Sequence, residues 1–270
     1  MAKKNIEYTA KVLFLHGYTQ SASAFYAKTS ALRKKLAQYK LKAVYLNAPI
    51  QLSPAELPTT DSLSKFGAVG GDDDALKYRA WWVKNPDNTY EIDSAIDTVK
   101  RYIKDGELLN EEGVFEKEEG NLPLKGIIGF SQGACFAGAL VHKFNELFGI
   151  DLDFAVLYSG FKIDVSLMPD FKKYYTDDDG ASTKTRLLHV VGELDTVVGE
   201  DRAYTFYETS KKNSDLLKHP GGHFVPNSKL LVDQVVNWVQ GAEKEEAKKE
   251  ESKKVDDVDD ILAMMDKVGV

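Results

Sequence analysis

Gly129-Phe130-Ser131-Gln132-Gly133 sets a serine hydroxyl between two glycines, directly after the apolar run Ile127-Ile128. A G-x-S-x-G spacing at a strand-to-helix turn suits a nucleophile. The serine sits on a sharp, strained backbone turn, and side chains at the flanking positions would strike the neighbouring strand and helix. Ala134, Ala137 and Gly138 keep the start of the next helix small enough to lie close on a sheet. A dinucleotide site is the main rival for a glycine-rich turn. However, Gly126, Gly129 and Gly133 do not form G-x-G-x-x-G, no acidic residue ends a second strand at the required distance, and there is no P-loop.

A serine nucleophile needs a base, and the chain has five histidines. The pattern places His142 in mid-helix and His189 in mid-strand, where a structural role is expected, and His16 ends the first strand before Gly17. His219 and His223 lie in Lys218-His-Pro-Gly-Gly-His-Phe-Val-Pro226, which follows a short strand at 215–218 and is itself irregular. His223 is the preferred base, because Gly221 and Gly222 free its backbone and the last helix follows closely. His219 precedes a proline and suits a strand end. The orienting acid should fall between nucleophile and histidine in chain order. Asp195, on the turn after a buried strand, is preferred over Glu193 on the same turn. Asp72, Asp73 and Asp74 precede the nucleophile and read as a solvated loop or a weak cation contact.

Oxyanion stabilisation calls for converging backbone N–H groups. Gln132 supplies one at the start of the helix after the serine. The turn Leu15-His16-Gly17-Tyr18 offers the other from Tyr18, with Gly17 permitting the turn and His16 bracing it. The long connection from Ala48 to about Tyr90, rich in Pro and Gly, is expected to form a wall or lid of the pocket. Its aromatic end, Tyr78, Trp81 and Trp82, is the candidate lining for an apolar acyl site. Consecutive strand residues face opposite ways, so one of the two tryptophans is equally suited to the core. Arg79 is expected to brace this loop through a carboxylate.

These residues need a scaffold, and the apolar pattern supplies it. Continuous apolar runs at 11–16, 42–46, 125–129, 154–158 and 186–191 read as buried strands. Helical patterns at 22–39, 90–104, 133–148, 201–211 and 229–240 separate or follow them. The alternation predicts one α/β domain over residues 1–240, a mainly parallel sheet with helices on both faces and its site at the carboxyl ends of the strands. The 270 residues carry a net charge of −7, which disfavours nucleic acid as a partner. The single cysteine, Cys135, excludes an intramolecular disulfide and a cysteine-cage zinc site, suits a reducing compartment and reads as a small buried filler.

No run approaches the roughly 18 apolar residues of a membrane span. No signal-peptide core or targeting tripeptide is evident, so a cytoplasmic location is expected, with the nucleus also open. Residues 241–270 hold 6 Lys against 10 acidic residues and read as a flexible or helical tail. Ile261, Leu262, Met264, Met265 and Val268 fall at helical spacing within it, a pattern shared by a short partner-binding helix and a frayed appendage.

In six stretches spanning residues 11–240 the sequence resembles the fungal family of serine hydrolases, together with the animal ovarian-cancer-associated hydrolase and fungal polyketide-releasing thioesterases. The stretches are Phe14-Leu-His-Gly-Tyr-Thr-Gln20, Asn47-Ala-Pro49, Tyr78-Arg-Ala-Trp-Trp82, Gly129-Phe-Ser-Gln-Gly-Ala134, Gly192-Glu-Leu-Asp195 and Gly221-Gly-His223. The resemblance implies the α/β-hydrolase fold and a serine esterase or thioesterase with Ser131, Asp195 and His223 as its triad, working without metal or organic cofactor. A carboxylic ester or thioester with an apolar acyl chain is the expected substrate, a lysophospholipid ester being a close variant. The reading from another class is a non-enzymatic binding or scaffold protein of this fold that holds a partner through the acidic tail.

Overall fold

A computed structural model describes residues 6–53, 57, 78–85, 89–118, 120–175 and 183–241. Six parallel strands make the central sheet: β1 (Ala10–Leu15), β2 (Leu41–Leu46), β7 (Leu124–Phe130), β8 (Phe154–Tyr158), β9 (Arg186–Gly192) and β10 (Ser214–His219). Their order across the sheet is β10-β9-β8-β7-β1-β2. Two short antiparallel pairs stand apart, β3 (Ile50–Gln51) with β4 (Arg79–Ala80) and β5 (Glu107–Leu109) with β6 (Phe115–Lys117).

Strand side chains alternate between two cores. Leu13, Leu15, Ile127, Ala155, Leu157 and Leu187 face one way, where α3 (Asp93–Asp105) and α4 (Gln132–Leu140) cover them. Val12, Phe14, Ile128, Phe130, Val156, Leu188 and Val190 face the other, under α1 (Ala22–Lys28), α2 (Ser30–Gln38) and a last helix, α7, over 229–241. This double coverage explains why the strands read as unbroken apolar runs. The small helix α5 (Phe144–Phe148) and α6 (Glu200–Glu208) complete the layer on the first face.

Two expected helices are each divided. The 22–39 pattern breaks at Thr29, whose hydroxyl donates to the Phe25 carbonyl (2.7 Å) and meets the Tyr45 hydroxyl (2.6 Å). The 133–148 pattern breaks at 141–143, so His142 lies in a turn rather than in mid-helix. There its Nε2 meets Ser210 Oγ at 2.8 Å, while the Val141 carbonyl accepts from Thr183 Oγ1. The β5–β6 hairpin has no counterpart in the sequence reading, being only three residues a side, Glu-Leu-Leu and Phe-Glu-Lys, around an Asn110–Gly113 turn. Most of the expected lid, the acidic run Asp72–Asp74 and the tail beyond Gly241 lie outside the described residues. Among those described, no helix is long and apolar enough to cross a membrane and no group of His, Cys, Asp or Glu could hold a metal ion.

The sheet grows in opposite directions from the β1–β7 boundary, with β2 on one side and β8, β9 and β10 on the other. Such a switch point opens a crevice at the carboxyl ends of its two strands. The Leu15-His16-Gly17 turn and Ser131 therefore emerge side by side, since Leu15 pairs with Gly129 in the register.

His189 is buried in β9, edge-on to Phe206 and Tyr207, and burial holds its pKa down at about 3 against an ordinary 6.5. Between those values the unfolded chain binds a proton that the folded chain refuses. Stability is then expected to fall as pH drops below 6.5, approaching about 1.4 kcal/mol per unit from this residue. Thermal unfolding followed from pH 7 to 4 should show a shallower decline in His189→Leu than in the parent.

Candidate active site

Ser131 takes φ 51° and ψ −115°, a left-handed conformation that non-glycine residues rarely adopt. Its N–H donates to the Tyr158 carbonyl at 2.9 Å, which anchors the turn to the neighbouring strand. The flanking glycines are steric necessities. A Cβ on Gly133 would come within 2.2 Å of the Leu15 carbonyl oxygen, and one on Gly129 within 2.5 Å of the Gly133 oxygen. Those gaps let α4 start directly over β1, and every residue of α4 is buried.

His223 and Asp195 arrive on the loops after β10 and β9. Backbone bonds lock those loops together, Glu193 N–H to the His219 carbonyl (2.9 Å) and Leu194 N–H to the Gly221 carbonyl (3.0 Å). His223 Nε2 lies 3.0 Å from Ser131 Oγ, and its Nδ1 lies 2.8 Å from Asp195 Oδ2. Asp195 Oδ1 accepts from the amides of Val197 and Val198, both at 2.9 Å. Burial alone would raise the Asp195 pKa. The His223 hydrogen bond and those two amides outweigh it and hold the carboxyl below its ordinary range. With Asp195 ionised, His223 Nδ1 is the donor and Nε2 turns its lone pair to the serine. The arrangement can draw a proton from Ser131 and return it elsewhere.

The structure thus brings Ser131, His223 and Asp195 into one hydrogen-bonded chain. Glu193 is exposed, and His219 turns away, its Nδ1 accepting from the Gly221 amide while its ring packs on Phe224. His16 is fully buried. Its Nδ1–H donates to the Gly17 carbonyl (2.8 Å) and its Nε2 accepts the Ala48 amide (3.0 Å). Burial, reinforced by Arg79, keeps it neutral, with a pKa of about 4 despite the opposing Gly17 carbonyl. That geometry fixes the turn carrying Tyr18, and a Cβ on Gly17 would already press on Phe130 and Ser131. The Gln132 amide opens α4 and has no acceptor within the helix. Cys135 is buried one turn further on, and burial pushes its thiol pKa well up.

The Gln132 side chain has a task that the sequence did not reveal. Its Oε1 accepts the Trp81 amide (2.9 Å) and its Nε2 donates to the Trp82 carbonyl (2.8 Å). One side chain thereby holds the Trp81–Trp82 segment beside Ser131. Trp82 lines a cavity of about 270 Å³ beside Ser131, shared with Tyr18, Phe161, Val197, Val198 and Arg202. Trp81 is wholly buried, its indole N–H on the His16 carbonyl (2.8 Å), and Tyr78 packs with Leu52 and Ala80. Arg79 does brace the connection, but through the carbonyls of Ala48 (3.0 Å) and Glu111 (3.2 Å) rather than a carboxylate. Phe161 follows β8 and Val197, Val198 and Arg202 follow β9, so their position after strand ends was the available signal for these wall residues.

A family model described as "Serine hydrolase (FSH1)" matches residues 6–235. The chain is similar to "Family of serine hydrolases 3" of Saccharomyces cerevisiae, 34% identical over 96% of this chain and 97% of that protein. It is also similar to "Esterase OVCA2" of Xenopus tropicalis, 32% identical over 80% of this chain and 86% of that one. Among solved structures, a Zea mays acyl-protein thioesterase 2 superposes with a TM-score of 0.52 at 18% identity, covering 89% of this chain and 96% of that one. Esterase PE8 does so with 0.52 at 15% identity, covering 88% and 95%. These neighbours share the α/β-hydrolase fold.

Replacing Gln132 with Leu leaves a buried N–H and a buried C=O unpaired. A loss of about 2–4 kcal/mol is expected, read as a lowered urea midpoint at constant m-value.

Proposed function

This chain belongs to the FSH1 family of serine hydrolases, and on that footing we propose that it cleaves carboxylic esters or thioesters with apolar acyl chains through Ser131, His223 and Asp195. The observation that carries the proposal is the continuous Ser131–His223–Asp195 hydrogen-bonded chain on a strained strand-to-helix turn, beside a cavity walled largely by Tyr18, Trp82, Phe161 and valines. Relatives named as esterases support the same chemistry.

Ser131 Oγ attacks the acyl carbonyl carbon as His223 Nε2 takes its proton. Asp195 keeps the imidazole tautomer and stabilises the imidazolium. The oxygen that becomes negative is met by the amides of Tyr18 and Gln132, brought together because the β1 turn and the β7–α4 turn emerge side by side. His223 then gives its proton to the departing alcohol or thiol, leaving Ser131 acylated. Water, deprotonated by His223, attacks the acyl-enzyme and releases the acid, and the proton returns to Ser131. The aromatic and valine walls favour an apolar acyl chain, and the cation that lines the cavity with them, Arg202, lies over the Phe161 ring.

A fluorophosphonate probe should label the protein at Ser131 and fail to label Ser131→Ala. Asp195→Asn should keep the fold and lose roughly 10⁴ in kcat on a p-nitrophenyl ester. A loss below about tenfold would move the orienting role to Glu193. Rates across p-nitrophenyl esters of rising chain length should peak at an acyl group that fills about 270 Å³.

A further inference from the structure

A second cavity, of about 250 Å³, lies against His223 and is bounded by Gln20, Phe25, Lys28, Phe130, Phe224 and Asn227. Ser131 lines the first cavity and His223 the second, so each member of the hydrogen-bonded serine–histidine pair faces a cavity of its own. The reaction proposed above assigns their contents. The acyl carbon and its oxygen must lie by Ser131, Tyr18 and Gln132, whereas the leaving atom must lie where His223 Nε2 can hand it a proton. The second cavity is therefore the place for the rest of the leaving group.

Lys28 is the cation of this second cavity. It ends α1 and is only partly exposed, and among the described residues no carboxylate pairs with it. Its backbone carbonyl is already taken by Asn227 Nδ2 (3.0 Å), and the Phe25 carbonyl by Thr29, so capping the helix does not call for the ammonium. Burial lowers its pKa with no opposing contribution from an acid. A partly buried lysine that no acid compensates is costly to keep charged unless something anionic meets it. Phe25, Phe130 and Phe224 line the same cavity with apolar surface, and Phe224 is half-exposed.

We propose that the cavity beside His223 is the leaving-group subsite and that Lys28 makes it selective for an alcohol or thiol bearing an anionic group, a carboxylate or a phosphate. The inference rests on the triad reading above and extends it from the acyl side to the leaving side. Lys28 acts as a specificity-determining residue and takes no part in bond making.

The test compares two substrates with one acyl group, p-nitrophenyl butyrate and its ring-carboxylated analogue, 3-carboxy-4-nitrophenyl butyrate. Lys28→Gln should lose about tenfold more kcat/KM on the carboxylated ester than on the neutral one, the difference lying in KM. Lys28→Arg should recover most of it, and raised salt should narrow the wild-type preference. Equal losses on both esters, or none on either, overturn the assignment. Fluorophosphonate labelling in parallel separates the two readings. Full labelling of Ser131 in wild type and variant without discrimination sinks the Lys28 proposal alone, while a wild type that does not label sinks the triad and this proposal with it.

Discussion

The turn at Ser131 depends on two carbon atoms that are not there. A left-handed serine costs about 1–2 kcal/mol relative to ordinary backbone. It is held because the chain on both sides has nowhere else to go. Gly133 lies on the carbonyls of Leu15 and His16, Gly129 lies under the first turn of α4, and the Ser131 amide is taken by Tyr158. α4 is wholly buried and cannot swing away to relieve the strain. The packing that forces the turn also raises the hydroxyl above the strand ends, at the switch point between β1 and β7.

Around that turn three further segments are fixed by backbone hydrogen bonds rather than by surface charge. The β1 turn is held by His16, whose neutral ring serves as donor on one side and acceptor on the other, and by pairing of Thr19 and Gln20 with Arg79. The Trp81–Trp82 segment hangs from the Gln132 side chain. The loops after β9 and β10 are tied to each other across Gly192, where a Cβ would meet the Gly221 and Gly222 carbonyls at 2.6 Å. Each is a short-range bond inside a dry region, so each is insensitive to salt and expensive to leave unmade.

Much of this was legible in sequence because the strongest signals are backbone requirements. Glycines at 129 and 133, the apolar strand runs, and Gly221-Gly222 before His223 all report where the chain must bend or approach closely. The mainly parallel sheet and the candidate residues Ser131, Asp195 and His223 follow from those positions, whereas the strand order does not. What stayed hidden depends on contacts between segments distant in sequence. Thr29 divides a helix where its hydroxyl meets Tyr45, 16 residues on. Gln132 looks like any polar residue of an x position until Trp81 and Trp82 arrive beside it, 50 residues away in the chain. Phe161, Val197 and Val198 carry no periodic pattern, since loop residues after strands are chosen by the cavity they enclose, and Arg202 reaches the same wall from the first turn of α6. Trp81 and Trp82 are indistinguishable by composition, and only the register separates a buried indole from a cavity wall.

The balance at Asp195 shows why the site is built dry. Its side chain is 2% exposed and that of His223 is 3%, a setting that by itself drives a carboxyl towards the neutral form. Two amides on Oδ1 and the imidazole on Oδ2 reverse that tendency, so the acid stays ionised inside the protein. An ionised carboxylate in a low-dielectric pocket acts strongly on the neighbour it faces, which here is the His223 ring, the group that the proposed reaction would charge. The same exclusion of water leaves few groups able to answer charge on a substrate. Under the proposed reaction, the cations that line the two cavities, Arg202 over Phe161 at 4.4 Å and Lys28, are the features most able to tell one ester from another.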